Sequence, residues 1–279
     1  MKLAVFASIL TLGAAPALAA SVQNLFPARR CGDTHFDAAV EARNQQLIQA
    51  YSQKAVLHAP RNRSVPVYWH TITDGATGPL TPSQIQAQID VLNQDYAKSG
   101  YVFHLADSDS TSNPDWFHNL DLGQPQERAM KTSLHRGSAD ALNFYTVGFD
   151  NGELGFAMGP FNYSTNPWRD GVVINYGTLP GGHMAPFNLG RTATHEVGHW
   201  LGLFHVFEGG CSGGGDLVDD TPPQSRHTFG CPSSQDSCAG GGADSIHNFM
   251  DYSIDSCMNE FTKGQNRRMH ALTLAYRGL

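Results

Sequence analysis

The chain has 279 residues, of which 41% are hydrophobic. That is enough to bury one large core, and it excludes disorder over most of the length. The formal net charge is −7 and no run of Lys or Arg stands out, so nucleic acid and anionic membranes are poor partners for it.

Residues 1–19 have the layout of a secretory signal. Lys2 supplies the positive start, Leu3 to Leu12 the apolar stretch, and Ala17-Leu18-Ala19 the small-x-small cleavage pattern. The apolar run is too short to span a bilayer comfortably, and Gly13 and Pro16 break it. No later stretch is long and apolar enough, so a secreted, extracellular protein without a membrane anchor is expected. Residues 20–63 are polar. Within them Phe36 to Tyr51 has helical character, with Val40, Leu47 and Tyr51 on one stripe, and Arg61-Asn62-Arg63-Ser64 follows. A polar segment, then arginines, then a folded domain is the layout of a pro-segment with its processing site. An ordinary loop would have the same composition.

Val65 to Trp69 reads as the first strand. Thr81-Pro82 opens a helix, with a capping hydroxyl before Pro at the first helical position, and Ile85, Ile89, Leu92 and Tyr96 form its buried stripe. Gly100 closes it. Tyr101 to Leu105, Ala141 to Val147, Leu154 to Met158 and Val172 to Tyr176 read as strands. Arg191 to Phe204 is a strong helix. From Gly209 to Ser256 the chain is rich in Gly, Ser, Asp and Cys and reads as loop. Thr262-x-x-Gln265 is a capping box for a last helix ending near Tyr276. The pattern is α+β, with a looser C-terminal half.

The chemistry sits in His195-Glu196-Val197-Gly198-His199-Trp200-Leu201-Gly202-Leu203-Phe204-His205, which spells H-E-x-x-H-x-x-G-x-x-H. His195 and His199, one turn apart, share a helix face and can reach one ion. Gly202 ends the helix by a left-handed turn that only Gly takes cheaply, returning the chain so that His205 arrives as third ligand. Three nitrogens on zinc leave a position for water, as a catalytic site requires. Glu196 then serves as general base toward the water that zinc activates, and passes the proton to the leaving amine. The bland alternative is a core helix with incidental histidines, but three histidines and a Glu would be costly to bury without a metal.

With Asn248-Phe249-Met250-Asp251-Tyr252 downstream, the sequence resembles the metzincins, whose long zinc motif is followed by a Met-containing turn. The closest likeness is to the pappalysin family, including fungal extracellular metalloproteases. It runs through Gly190 to Thr194, Gly215 to Pro222, Asn248 to Tyr252 and Phe261 to Gln265, and covers most of the chain after about residue 65. The resemblance implies a zinc endopeptidase acting on protein or peptide substrates, taken here as a monomer, with residues 64–279 as the catalytic domain. It implies two subdomains with the cleft between them. A mixed twisted sheet and the active-site helix come first, and a loop-rich, disulfide-stapled C-terminal subdomain with a final helix follows. Met250 would lie beneath the histidines, Tyr252 would stabilise the transition state, and Leu154 to Met158 would form the rim strand that pairs with an extended substrate.

The five cysteines are Cys31, Cys211, Cys231, Cys238 and Cys257. Exported cysteines tend to pair, and the four clustered ones allow three pairings. The resemblance selects Cys211–Cys238 and Cys231–Cys257. An odd count leaves one over, and Cys31 stands far from the rest. In Arg29-Arg30-Cys31-Gly32-Asp33 its thiolate could block the zinc position and keep a precursor latent, as in the cysteine switch of other metzincins. A buried or capped thiol is the alternative. Asp216, Asp219, Asp220 and Thr221 crowd hard oxygens into a short loop of the kind calcium favours; a solvated acidic loop would look the same. Two readings compete with the endopeptidase. A thermolysin-like enzyme would take its third ligand from a distant Glu, which the short step from Gly202 to His205 argues against. A binding protein with a structural metal would have no use for Glu196.

Overall fold

The structure, a computed structural model, describes Cys31 and residues 37–54, 62–212 and 214–279. Residues 1–19, expected as a signal sequence, and Arg29, Arg30 and Arg61 lie outside the described residues.

Five strands form one mixed sheet in the order β2-β1-β3-β5-β4. β1 (Arg63–Thr73) pairs in parallel with β2 (Tyr101–Ser112) and with β3 (Leu142–Val147). β3 pairs in parallel with β5 (Val172–Asn175), and β4 (Gly155–Ala157) runs antiparallel to β5 at the edge. Strand side chains alternate between faces, and both faces here are covered. Val65, Val67, Trp69 and Phe144 point to one core, together with Ile89 and Leu92 of α2 (Pro82–Asp95) and Val197 and Trp200 of α5 (Arg191–Trp200). Ile72, Tyr145, Val147, Phe156 and Val173 point to the other, beside Phe117 of α3 (Pro114–His118) and Met130 of α4 (Pro125–Leu134). Trp69 and Phe144 stack at 4.3 Å in the first core.

The predicted strands and the stripe on α2 are present, and Ile85, Ile89, Leu92 and Tyr96 are buried. α2 also carries a full capping box with Gln84. Three readings need correction. The strong helix stops at Trp200, not Phe204, because Gly202 adopts φ +108° and turns the chain. β2 continues seven residues past Leu105, through a polar stretch that lies along the open edge of the sheet. Neither α3 nor α4 was foreseen.

After α5 the chain is irregular until α6 (Lys263–Tyr276), which has the expected capping box. Disulfides join Cys211 to Cys238 and Cys231 to Cys257, as the resemblance implied. Each closes a loop of 26 or 27 residues, which in the chain-entropy treatment adds about 3.5 kcal/mol to a segment with little core of its own. The first helix, α1 (Ala38–Lys54), packs on α6. Its deepest side chains are Glu41 and Asn44, whereas Val40, Leu47 and Tyr51 of the expected apolar stripe are only partly buried.

Candidate metal centre

α5 is held at both ends by other elements. Its N-cap, Gly190, offers no side chain, and Asp255 substitutes: its Oδ2 accepts from the N–H of Leu189 at 2.8 Å and of Arg191 at 3.1 Å. Tyr96, at the C-terminal boundary of α2, donates its hydroxyl to the Thr194 carbonyl at 2.8 Å. At the other end, two buried arginines are supplied by α6 and by the residue that follows it. Arg277 donates to the Trp200 carbonyl at 3.2 Å, and Arg268 to the Gly202 carbonyl at 2.8 Å. Cations at a helix C-terminus satisfy its last carbonyls and oppose its dipole.

This frame brings His195, His199 and His205 together. His199 Nε2 lies 3.1 Å from both His195 Nε2 and His205 Nε2. His195 Nδ1 is 2.7 Å from the Phe249 carbonyl, and His199 Nδ1 is 2.8 Å from the Leu203 carbonyl. A carbonyl only accepts, so each Nδ1 carries the proton and each Nε2 presents a lone pair. Buried lone pairs that face one another repel unless a cation sits among them. Tetrahedral zinc with Zn–N bonds of about 2.05 Å spaces its ligands by about 3.3 Å, so the donor set fits that ion.

Glu196 is 1% exposed and lies between α5 and the edge strand. A Cβ at Gly155 would stand 3.0 Å from Glu196 Cγ, so the strand can approach only because residue 155 has no side chain. Met250 is fully buried, and a Cβ at Gly198 would meet its sulfur at 2.4 Å, so Gly198 lets Met250 pack directly against the helix that carries the histidines. The Tyr252 hydroxyl is 3.2 Å from His205 Nε2. Asp251 anchors the turn by accepting from Thr228 and Gln224.

Cys31 enters the same cleft. Its backbone bridges Gly155 in parallel, its N–H donates to the Tyr252 hydroxyl at 3.3 Å, and its thiol donates to Glu196 Oε2 at 3.2 Å. Its sulfur and one nitrogen from each of His195, His199 and His205 lie within 4.8 Å of one another. The acidic loop is different. Among the described residues Asp216, Asp219 and Asp220 are not gathered into a comparable cluster. Asp220 accepts from the Thr262 hydroxyl and the Gly264 N–H at the start of α6. Asp219 is exposed. Buried Asp216 accepts from Thr221 and from the Val218 N–H through Oδ1 alone.

The residue motifs gave no sign of Gly155, Gly198, Asp255, Arg268 or Arg277. Glu208 had a signal: it stands three residues after His205, and its carboxylate lies 3.7 Å from His205 Nδ1.

The family described as Pregnancy-associated plasma protein-A (Peptidase_M43) matches residues 155–274, which span the edge strand, the histidine helix and most of α6. Extracellular metalloprotease 1 of Coccidioides posadasii is 47% identical over 219 residues, covering 76% of this chain and 78% of its own length. This chain is a member of the pappalysin family. The extracellular metalloprotease of Pyricularia oryzae, another relative of this pappalysin, is 43% identical over 262 residues, covering 88% of this chain and 91% of its own length. Among solved structures, a Tannerella forsythia promirolysin variant matches with TM-score 0.67 and 30% identity, covering 88% of this chain and 94% of its own. Mature mirolysin of the same organism, in complex with a cleaved peptide, matches with TM-score 0.65 and 31% identity, covering 77% and 93%. The pappalysin described here therefore has a metzincin fold and is a zinc metalloendopeptidase.

Proposed function

We propose that this pappalysin is a secreted zinc endopeptidase, made as a latent precursor, in which His195, His199 and His205 hold the metal and Glu196 is the general base. The observation that carries the proposal is the convergence of three buried Nε2 atoms, two of them fixed as acceptors by carbonyls on the far side of the ring. Secretion rests on the leader-like residues 1–19 and on relatives named as extracellular metalloproteases.

When bound, zinc supplies Lewis-acid polarisation and a lowered pKa for water at neutral pH. The chain's own groups do the rest. Glu196 Oε2 takes the proton of the attacking water and returns it to the leaving nitrogen of the peptide. The Tyr252 hydroxyl donates to the oxygen of the scissile carbonyl as it gains charge. Gly202 sets the turn that delivers His205, and Met250 supports the helix from below. An extended substrate adds alongside β4, where Cys31 now forms its bridge.

In this reading residues 1–19 are a signal peptide, residues 20–63 a pro-segment and residues 64–279 the catalytic domain. Cys31 Sγ fills the position the substrate and water need. Support comes from the cluster of Cys31 with the three histidines, and from the wider match to promirolysin than to mature mirolysin. The test is casein digestion by the full chain, by the chain cut between Lys54 and Arg63 with its N-terminal fragment removed, and by the full Cys31→Ala chain. The first should be silent and the other two active, with chelator abolishing both activities. Chelator-resistant digestion would remove the metal from the reaction. A Cys31→Ala precursor as silent as the wild type would remove the thiol from latency.

Calcium at Asp216, with Asp219, Asp220 and Thr221 as further candidate ligands, is part of the proposal. Its support is Asp216 Oδ2, a buried carboxylate oxygen without a hydrogen-bond partner. Burial raises the Asp216 pKa to about 7, against the pull of the Thr221 and Val218 hydrogen bonds. A folded-state pKa above the unfolded one makes the ionised group a cost. Metal-free protein should therefore lose stability as pH rises from about 4 through 7, and calcium should restore it at pH 8. Thermal melts check this. An equal calcium effect in Asp216→Asn would place the ion elsewhere.

A further inference from the structure

We propose that α1 is the anchor of the pro-segment, so that a cut between Lys54 and Arg63 leaves the segment bound until Glu41 releases Arg268. The proposal rests on the latency reading but not on Cys31, whose contacts are with Glu196, Tyr252 and Gly155 rather than with α6.

The two most deeply buried side chains of α1 are polar: Glu41 is 4% exposed and Asn44 fully buried. A helix docked by the hydrophobic effect would bury its apolar stripe instead. Glu41 accepts from both terminal nitrogens of Arg268, at 2.6 and 2.9 Å, in the paired geometry that suits guanidinium and carboxylate. Asn44 donates to Glu41 Oε2 at 3.0 Å and accepts from the Tyr276 hydroxyl at 2.9 Å. About two turns further on, the Tyr51 hydroxyl accepts from Arg63 of β1 at 3.2 Å. The contacts therefore follow one face of the helix and reach α6 and the first residue of β1.

The receiving surface is organised without α1. Arg268 Nε is already held by the Gly202 carbonyl, and its guanidinium lies 4.8 Å over the Phe204 ring. A cation held in place by a carbonyl and a ring presents its two terminal nitrogens to a carboxylate, and the carboxylate seen there is Glu41 of the chain's own segment. A helix owes most of its stability to what it packs against, so the severed segment folds poorly once it leaves α6. Its release is then the committing step of activation.

The test uses the full chain with one specific protease site between Lys54 and Arg63, as wild type, Glu41→Gln, Cys31→Ala and Tyr276→Phe. Each is cut to completion, confirmed by intact mass, and followed by gel filtration for loss of the N-terminal fragment. Wild type and Cys31→Ala should retain the fragment. Glu41→Gln should release it at least about 30-fold faster, because one member of a buried charged pair is lost. Tyr276→Phe, which leaves the ion pair intact, should release it a few-fold faster and serves if Glu41→Gln does not fold. Release from the wild type or from Cys31→Ala, or wild-type retention in the Glu41→Gln and Tyr276→Phe chains, overturns the proposal. If instead the uncut wild type already digests casein as fast as the matured enzyme, the latency reading fails while fragment retention is still measured.

Discussion

Glu196→Ala in the matured protein is expected to keep its fold and its metal while kcat falls by about 10²–10⁴-fold, the usual contribution of a positioned general base. The side chain is almost fully buried in a slot between α5 and Gly155, and it is not one of the three imidazoles whose Nε2 atoms converge. The slot is closed on the strand side by backbone, so Ala leaves a small void rather than a new contact. Glu196→Gln removes the base while keeping the shape, and it should be comparably slow. The measurements are steady-state hydrolysis of a peptide and metal content on the same preparation. A variant that retained wild-type kcat would take Glu196 out of the proton transfer. One that lost its metal as well would make it a structural support.

His205→Ala should weaken metal affinity by at least about 100-fold, since loss even of a group behind a ligand costs about 10–100-fold. The turn that delivers His205 is fixed by groups the substitution leaves alone. Gly202 keeps its φ of +108°, and Arg268 keeps the Gly202 carbonyl. His195 and His199 would then face each other at 3.1 Å with only two nitrogens for the ion. Competition against a chelator of known affinity reads the effect, and thermal melting shows whether the fold survives. Unchanged affinity would place the third ligand elsewhere.

The parts legible from sequence were those that local rules govern. The histidine spacing follows from the helical repeat, the turn at Gly202 from the lack of a Cβ, the start of α2 from the Thr81 hydroxyl, and the capping box of α6 from side chains three residues apart. Where a residue's role is set by a distant partner, the sequence was silent. Glu41 and Asn44 look like ordinary solvated positions on a polar helix, and only the approach of α6 makes them buried. Gly155 carries no chemical signal, yet it is where Glu196 and the backbone of Cys31 both arrive. The carbonyls of Phe249 and Leu203, which fix two imidazole tautomers, are backbone groups that no pattern of residue types reveals. The far half of β2 was missed because an edge strand meets water and need not alternate. α4 holds a fully buried Glu127–Lys131 pair, which reads in sequence as a surface salt bridge.

The two arginines that grip the carbonyl end of the histidine helix come from α6 and its C-terminal boundary, which follow every other part of the centre along the chain. During synthesis from the N-terminus, His195 through His205 are therefore made before the groups that lock their geometry. A ribosome-bound or half-translocated chain has the ligands of a cutting edge without its brace. Any truncation that removes α6 would leave a protein with the complete histidine motif and no firm seat for it, so motif content alone is a poor guide to which fragments of such a chain can cut.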